Sequence, residues 1–489
     1  MTKDRRVELL SLTADADEGV VDQLVARLDS TRIRVRADAS QASLALSLCN
    51  LLARIFPDVR LVSASSDVAV VPFGAGPLDL LGSRVIASVR PCEPRHSRAS
   101  LTIDVGCAEP GSDLYVASDP WTVRISRSPI EIVQSTRSGP AMVAASALAA
   151  AEVFRAVLPE IGGVHLGPDP FCWNLLDYRL TEAPTQLDEA RVEATCFGVG
   201  SVGSSLVYSL LIADACGEIE LVDPDRITER NWLRYPLLLE QTQQPKASWA
   251  ANASLGSRLI VEGHSMTAAD FVNTLEAPPR LAVSSVDTVE GRRQIVDALA
   301  ETTLNAGVQG LQLHVSRNRL GDGFACAYCS YVDVGSPVDE TEMYVRLTGL
   351  SHERVRQLLA GATISRGDLH VMTSRGKLPA TEGQDELVGV RLQDTLKNRL
   401  YAQALVSGGG SDFAVSAPFV SALAGSILAA ELLKGDARHY YLRRRVDIDC
   451  TGYPTGFVTS PRANASGRCL CSDPIRVAAY RAAWEQQTT

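Results

Sequence analysis

Apolar positions along the chain fall into short strand-like runs that alternate with longer helical ones. The stretch RIRVRADASQASLALSLCNLLARIFPDVRLV from Arg32 predicts a strand, a turn, an apolar helix and a second strand. The stretch RVEATCFGVGSVGSSLVYSLLIADACGEIELVD from Arg191 predicts the same elements in the same order. Each is followed later by a proline-led helix of small residues ending Ala-Ala-Glu, Pro140 to Glu152 in the first case and Pro418 to Glu431 in the second. The pattern therefore reads as two copies of one α/β plan. Each copy is a doubly wound, mostly parallel sheet covered by helices. Between the copies lies GGVHLGPDPFCWNLLDYRLTEAPTQLDEA, rich in Gly and Pro, which places a boundary near residue 180 and domains at 1–180 and 181–489.

Composition narrows the classes of function. A chain of 489 residues with 46% apolar residues and a mean hydropathy of +0.04 can bury a sizeable core, and its length suits two or three domains. The net charge of −10 argues against nucleic acid as a partner, because phosphate binding needs clustered Lys and Arg. The one basic run, Arg443-Arg444-Arg445, is expected on a solvated strand face. The charged N-terminus lacks the apolar centre of a signal peptide, and the Ala-rich stretch Ala141 to Ala156 is interrupted by Glu152 and Arg155, so a cytoplasmic protein without a membrane span is expected. Eleven cysteines, mostly isolated, point to metal ligands or free thiols rather than to a disulfide framework. The seven histidines show no metal or nucleophile spacing and are expected to be structural or solvated.

The two copies differ where chemistry would sit. In the second, Gly198-x-Gly200-x-x-Gly203 follows a strand over Val192–Phe197 and opens a helix, and Asp223 ends the next strand twenty residues after Gly203. Tight turning, close approach of a phosphate to the backbone, and an acid for ribose hydroxyls explain those residue types, as in Rossmann-like nucleotide sites. A structural strand–turn–helix is the alternative. The first copy has Ala39-Ser40-Gln41-Ala42-Ser43 at its turn, and its second strand ends in Val62-Ser63. With neither glycine nor acid, it is not expected to hold a nucleotide.

The residues after Asp223 point away from a plain dinucleotide site. LVDPDRITERNWLRYP supplies Asp225, Asn231 and Arg234; Lys246 comes next in QQPKASWAANAS, and Asp287 ends the apolar strand LAVSSVD. With these motifs, Arg191 to Lys434 resembles the ThiF, MoeB and ubiquitin-activating adenylyltransferase family, although Tyr235 stands where that family often has Gln. The resemblance implies that ATP binds at Gly198, Gly200, Gly203, Asp223, Asp225 and Asn231, that Arg234 and Lys246 neutralise its phosphates, and that Asp287 holds Mg²⁺. It also implies a partner, the C-terminal tail of a small ubiquitin-like or sulfur-carrier protein, whose carboxylate is already anionic at neutral pH and needs no general base. A conjugating enzyme would be a downstream partner. An NAD(P)-dependent oxidoreductase would share the glycine loop and the acid but leaves Asn231, Arg234, Lys246 and Asp287 without a role.

Cys326-Ala-Tyr-Cys329 lies after an expected strand over Gln309–Val315, and Cys469-Leu-Cys471 lies near the C-terminus. Two close pairs far apart in sequence suit a tetrahedral Zn²⁺ that ties the tail to the domain, with free thiols as the alternative. The family commonly has CxxC in both places, so the CxC leaves Cys450 as a substitute ligand. Ubiquitin-activating relatives also carry a nucleophilic cysteine in or after a crossover loop, here 331–413, and this loop has none. TGLSHERVRQLL and APFVSALAG within and after it resemble bacterial members of ubiquitin-like antiphage (Bil-type) operons, in which an inactive half accompanies an active one. One chain would then be pseudo-dimeric, and a homo-oligomer of it is a further expectation. The missing thiol, expected near Ala404 to Ser407, has three readings: an engineered change to Ser or Ala there, with Ser407 a possible position, transfer without a thioester, or a thiol elsewhere such as Cys450.

Overall fold

A computed structural model describes residues 5–484 apart from 15–17, 65, 91–99, 131–136, 163–168, 241, 330–340, 342–343, 346–347, 376, 378–386, 391, 393–414, 455–457, 465–466 and 468. The chain forms two compact units, one of Met1–Tyr331 with Val415–Thr489 and the other of Val332–Ala414.

Strands of the first half are β1 (Arg32–Ala37), β2 (Asp58–Ser63), β3 (Asp67–Val70), β4 (Gly74–Pro77), β5 (Leu101–Val105), β6 (Leu114–Ser118), β7 (Thr122–Ser126) and β8 (Phe171–Asn174). The second half contributes β9 (Arg191–Phe197), β10 (Cys216–Val222), β11 (Leu259–His264), β12 (Leu281–Ser284), β13 (Thr302–Gln309), β14 (Gln312–Asn318), β15 (Arg445–Asp449) and β16 (Val458–Thr459). β3 and β4 form a separate ribbon, while the large sheets run β2-β1-β5-β6-β7-β8 and β11-β10-β9-β12-β13-β14-β15-β16.

Six consecutive strands match in order and direction. β2, β1, β5 and β6 are parallel and β7 and β8 antiparallel; β10, β9, β12 and β13 are parallel and β14 and β15 antiparallel. The two-copy plan read from the sequence is thus present as repeated topology. Both sheets switch from parallel to antiparallel toward one edge, because β7 and β14 come after their predecessors through short turns rather than crossover helices.

The helices Ala42–Ile55 and Pro140–Val157 of the first half and Ser201–Ile212 and Pro418–Leu433 of the second pack on one another. They are apolar on all sides, and almost every residue in them is buried, as expected of helices enclosed by other elements. Small residues let them approach closely: a Cβ on Gly425 would lie 2.4 Å from the Ser205 backbone. Pro140–Val157 is long and apolar enough to cross a membrane by composition, yet 94% of it is buried inside the protein. A second apolar cluster, with Phe197, Val222, Phe271, Ala282 and Ile295, joins the second sheet to the helices Ala268–Val272 and Val289–Val296.

The Ala-Ala-Glu ends close this layer in matching fashion. Glu431 pairs with Lys434 three residues on and accepts the Tyr178 hydroxyl of the first half at 2.5 Å. Glu152 pairs with Arg155, whose guanidinium donates to the Cys450 carbonyl of the second half at 2.6 Å.

The structure corrects three sequence expectations. Gln309–Val315 is not one strand, since the chain turns at Gly310 (φ +57°) between β13 and β14. The strand that Asp287 was expected to end stops three residues earlier, at Ser284. The basic run is not simply a solvated face: Arg444 pairs with Asp322 at 2.6 Å and stacks on Phe324, and Arg445 pairs with Asp447.

Within 332–414, expected to be a loop, the described residues include the helices His352–Leu359 and Arg366–Ser374, capped by Ser351 and Ser365. Tyr344, Leu350, Val355, Leu358, Ile364, Leu369 and Met372 are part of its own small core. Arg354 forks onto Asp368 at 2.9 and 2.7 Å.

Candidate nucleotide site and four-cysteine centre

The order of the second sheet reverses between β10–β9 and β9–β12, which makes the carboxyl ends of β9, β10 and β12 the switch point where the ligand crevice of an open α/β sheet lies. All three glycines of the fingerprint lie there, each for a different reason. Gly198 has φ +90°, and an added Cβ would meet the Ser285–Val286 backbone at 3.0 Å. Gly203 packs so tightly that its Cβ would stand 2.0 Å from the Gly198 carbonyl. Gly200 is unlike both: its φ of −74° suits any residue, and the nearest atom to an added Cβ is the Tyr235 hydroxyl at 3.8 Å. Neither backbone nor packing requires glycine there. The space beside it, at the N-terminus of Ser201–Ile212, is a cradle that a side chain would fill.

Asp223 is only 5% exposed at the end of β10. Its Oδ2 accepts the Val199 amide at 2.6 Å and its Oδ1 the Asp225 amide at 2.9 Å, which locks the glycine loop to the acid. Burial raises its pKa, with Lys246 opposing that rise. Each oxygen keeps a second lone pair.

Lys246 opens the helix Lys246–Ala253, held because its amide donates to the Asp225 carbonyl at 2.9 Å. Its Nζ lies 2.7 Å from Asp225 Oδ2 and 3.8 Å from Asp223 Oδ1. Burial disfavours the ammonium, but Tyr235, Asp223 and Asp225 outweigh it, and the lysine pKa lies above its ordinary value.

Asn231 spends its Oδ1 on the turn that precedes Arg234, accepting the Thr228 amide at 2.7 Å. Arg234 is half-buried and pairs with no carboxylate among the described residues. Asp287 is exposed on the loop after β12. The structure thus brings Gly198, Gly200, Gly203, Asp223, Asp225 and Lys246 together by direct contacts or shared loop geometry, and sets Asp287 on the loop that leaves the same end of the sheet. Ser407 lies outside the described residues.

Ser285 was missed by sequence reasoning. Its hydroxyl donates to the Gly198 carbonyl at 2.7 Å, fixing the turn from the β12 side. A small polar residue at the end of the strand beside a glycine loop is the only local sign of it.

The turn of the first copy is filled by protein. Gln41 is fully buried, donating to the Ser118 carbonyl and accepting the Ser118 amide, both at 3.1 Å. Its Cγ would lie 2.7 Å from a Cβ on Gly106. The side chain thus bridges its loop to the end of β6, and the second copy has the small Gly200 at the corresponding place before its helix.

Cys326, Cys329, Cys469 and Cys471 are all buried, and their sulfurs lie within 4.8 Å of one another. The three closest contacts are 3.3 to 3.5 Å. Tetrahedral zinc with Zn–S of about 2.3 Å sets sulfur separations of about 3.8 Å, so four thiolates here fit that ion. The Cys326 and Asn464 amides donate to Cys329 Sγ at 3.3 and 3.4 Å, the outer support that orients a metal thiolate. Cys469-x-Cys471 is therefore sufficient as the second pair.

Cys450, considered as a substitute ligand or as the missing thiol, is neither placed nor poised for those tasks. It lies outside the cluster and is 1% exposed, and burial pushes its thiol up to about 12, so almost none is thiolate at neutral pH.

No protein-family model matches the chain. The uncharacterized protein y4jF of Sinorhizobium fredii is 28% identical over 485 residues, covering 90% of this chain and 88% of that one. Among solved structures, E. coli MccB with ATP is similar at 14% identity and a TM-score of 0.35, over 58% of this chain and 66% of that one. E. coli MccB with succinimide gives 15% and 0.35 over 57% and 66%, and PaaA gives 15% and 0.29 over 53% and 69%. The chain thus spans about two thirds of the length of the solved chains it matches. At such scores the likeness carries no inference about chemistry.

Proposed function

We propose that this chain is an ATP-dependent adenylyltransferase that activates the C-terminal carboxylate of a small protein. The observation that carries the reading is the room for a ligand atom beside Gly200 at the helix N-terminus, together with Lys246, a buried cation fixed on the acids at the end of β10. A hydride-transferring enzyme has no use for that lysine or for Arg234 and Asp287 around the same crevice.

In the reaction, one oxygen of the tail carboxylate attacks the α-phosphorus of ATP. A new O–P bond forms, the bond to the β-phosphate oxygen breaks, and pyrophosphate leaves. The helix N-terminus and the amides after Gly200 receive the phosphates. The spare lone pairs of Asp223 accept the ribose hydroxyls. Lys246, drawn toward the polyphosphate from Asp225, and Arg234 offset the charge that gathers on the leaving group. Mg²⁺ held by the exposed Asp287 would supply further charge neutralisation when bound.

For the partner we favour a small ubiquitin-like protein, as in bacterial antiphage operons, with a conjugating enzyme downstream. The chain is read as pseudo-dimeric: residues 1–180 form an inactive copy supporting the active copy in 181–489. The test is exchange of labelled pyrophosphate into ATP, with each small protein encoded beside this gene added in turn. Exchange that depends on one of them, and on its free C-terminus, is the expected result. Hydride transfer to NAD(P)⁺ without exchange would overturn the reading.

A further prediction separates the glycines. Gly200→Val leaves thermal stability near wild type but weakens ATP binding about tenfold, the loss of about one charge-assisted hydrogen bond to phosphate. Gly203→Ala instead destabilises the protein, because its Cβ overlaps the Gly198 carbonyl. Calorimetric titration and melting curves of the two variants check both halves.

A further inference from the structure

Arg54 lies on Ala42–Ile55, in the copy whose own loop is filled, and it is 1% exposed. Among the described residues it has no carboxylate partner. Its guanidinium is held by carbonyl oxygens: that of Trp232, those of Pro236 and Leu238 at 3.4 and 2.9 Å, and Asn50 Oδ1 at 3.0 Å. Asn50, one turn earlier, donates to the Pro236 carbonyl at 2.7 Å. On the same side, Trp232 Nε1 donates to the Val89 carbonyl at 2.6 Å. Apart from the bond to Asn50, every one of these joins the first half to residues 232–238, the segment that contains Arg234 and Tyr235.

That segment forms one wall of the crevice. Tyr235 is buried against Trp249, and its hydroxyl is the nearest atom to the Gly200 cradle. A buried guanidinium is costly to desolvate, and here that cost is offset by the carbonyls it bonds, which would lose their donor without it. Burial lowers its pKa to about 9, so it remains charged at neutral pH. Three carbonyls of one loop converge on this single cation, so its geometry fixes where that loop lies.

We infer that Arg54, aided by Asn50, is a positioning residue for the nucleotide site of the other half, holding the 232–238 loop so that Arg234 faces the polyphosphate. The first half is then part of the site's machinery rather than a passive support. This role rests on the nucleotide site proposed for the crevice.

Arg155 provides a matched control. It is also buried, at 3% exposed, and donates across the halves to a main-chain carbonyl, that of Cys450, yet none of its hydrogen bonds among the described residues reaches the 232–238 loop. Full-length wild type, Arg54→Met, Arg54→Lys, Asn50→Ala and Arg155→Met are compared by calorimetric titration with ATP and by melting temperature. ATP dissociation constants should rise about tenfold or more in Arg54→Met and by a smaller factor in Asn50→Ala, with partial recovery in Arg54→Lys. Arg155→Met should bind ATP as wild type does, even if it melts lower. If Arg54→Met does not fold, Asn50→Ala against Arg155→Met decides the matter by the same comparison. Equal ATP affinity in the Arg54, Asn50 and Arg155 variants overturns the positioning role while leaving the nucleotide site intact. Wild type that binds no ATP overturns both. Wild type that binds ATP but catalyses no exchange with any partner overturns adenylation alone, and the ratio of dissociation constants still decides the role of Arg54.

Discussion

Replacing Lys246 with methionine lowers partner-dependent pyrophosphate exchange by about 10²–10³-fold, the usual cost of removing one donor that stabilises charge in a transition state. The ammonium is the cation held between Asp223 and Asp225. Without it, a triphosphate entering the crevice meets two carboxylates before it meets compensating charge. Methionine keeps much of the buried volume but leaves the buried Asp223 without its cation, so the variant also melts lower, and exchange is compared per folded protein. Asp287→Ala gives a loss of similar size by a different route. This side chain is exposed, and melting temperature is unchanged, but exchange no longer responds to added Mg²⁺ in the millimolar range. Exchange rates at saturating ATP over a Mg²⁺ titration check both variants. Wild-type exchange in either would refute the assigned role of that residue.

Removal of the metal from the four-cysteine centre is the second large effect. Structural zinc sites of this kind bind with about 10–16 kcal/mol, so each of four thiolates carries about 3 kcal/mol, about a hundredfold in affinity. Purified protein should contain one zinc per chain, and Cys469→Ser should lower zinc affinity by that factor. The consequence reaches beyond the cluster. The C-terminal helix Pro474–Trp484 is docked by Arg476 on Asp297 at 2.7 Å, and by Tyr480 and Trp484 donating to the Glu301 and Leu299 carbonyls at 2.7 and 2.8 Å. These contacts cover the turn between Val289–Val296 and β13. Chelation should therefore release the C-terminal helix first. Limited proteolysis with cleavage near residue 470 in chelated protein alone is the measurement; equal cleavage with and without chelator would refute the site.

Read as a string of residues, the chain already displayed much of what local spacing can carry, although the turn at Gly310 and the helices within 332–414 went unread. Strand and helix periods, the three glycines with an acid twenty residues on, and the two cysteine pairs were legible because each depends on neighbours a few residues apart. The doubled plan was legible for the same reason, since each copy repeats the local order of elements, and the matched strand order of the two sheets agrees with it.

Which residues meet across that repeat is a matter of tertiary packing alone. Arg54 and Asn50 looked like ordinary polar positions on an apolar helix, and nothing in their surroundings in sequence points to the carbonyls of Trp232 to Leu238, some 180 residues away. Gln41 read as the absence of glycine, whereas in the fold it is a buried side chain bonded to the Ser118 main chain at the end of β6. Gly200 and Gly203 are identical in sequence and opposite in cause, one open to a ligand and the other closed by a carbonyl. Cys450 had the same claim as any thiol until packing placed it, buried and protonated, away from the other four sulfurs. Turn chemistry and periodicity are properties of short segments, but a long-range partner depends on how whole helices dock, and docking is set by the sum of many small apolar contacts that no single residue announces.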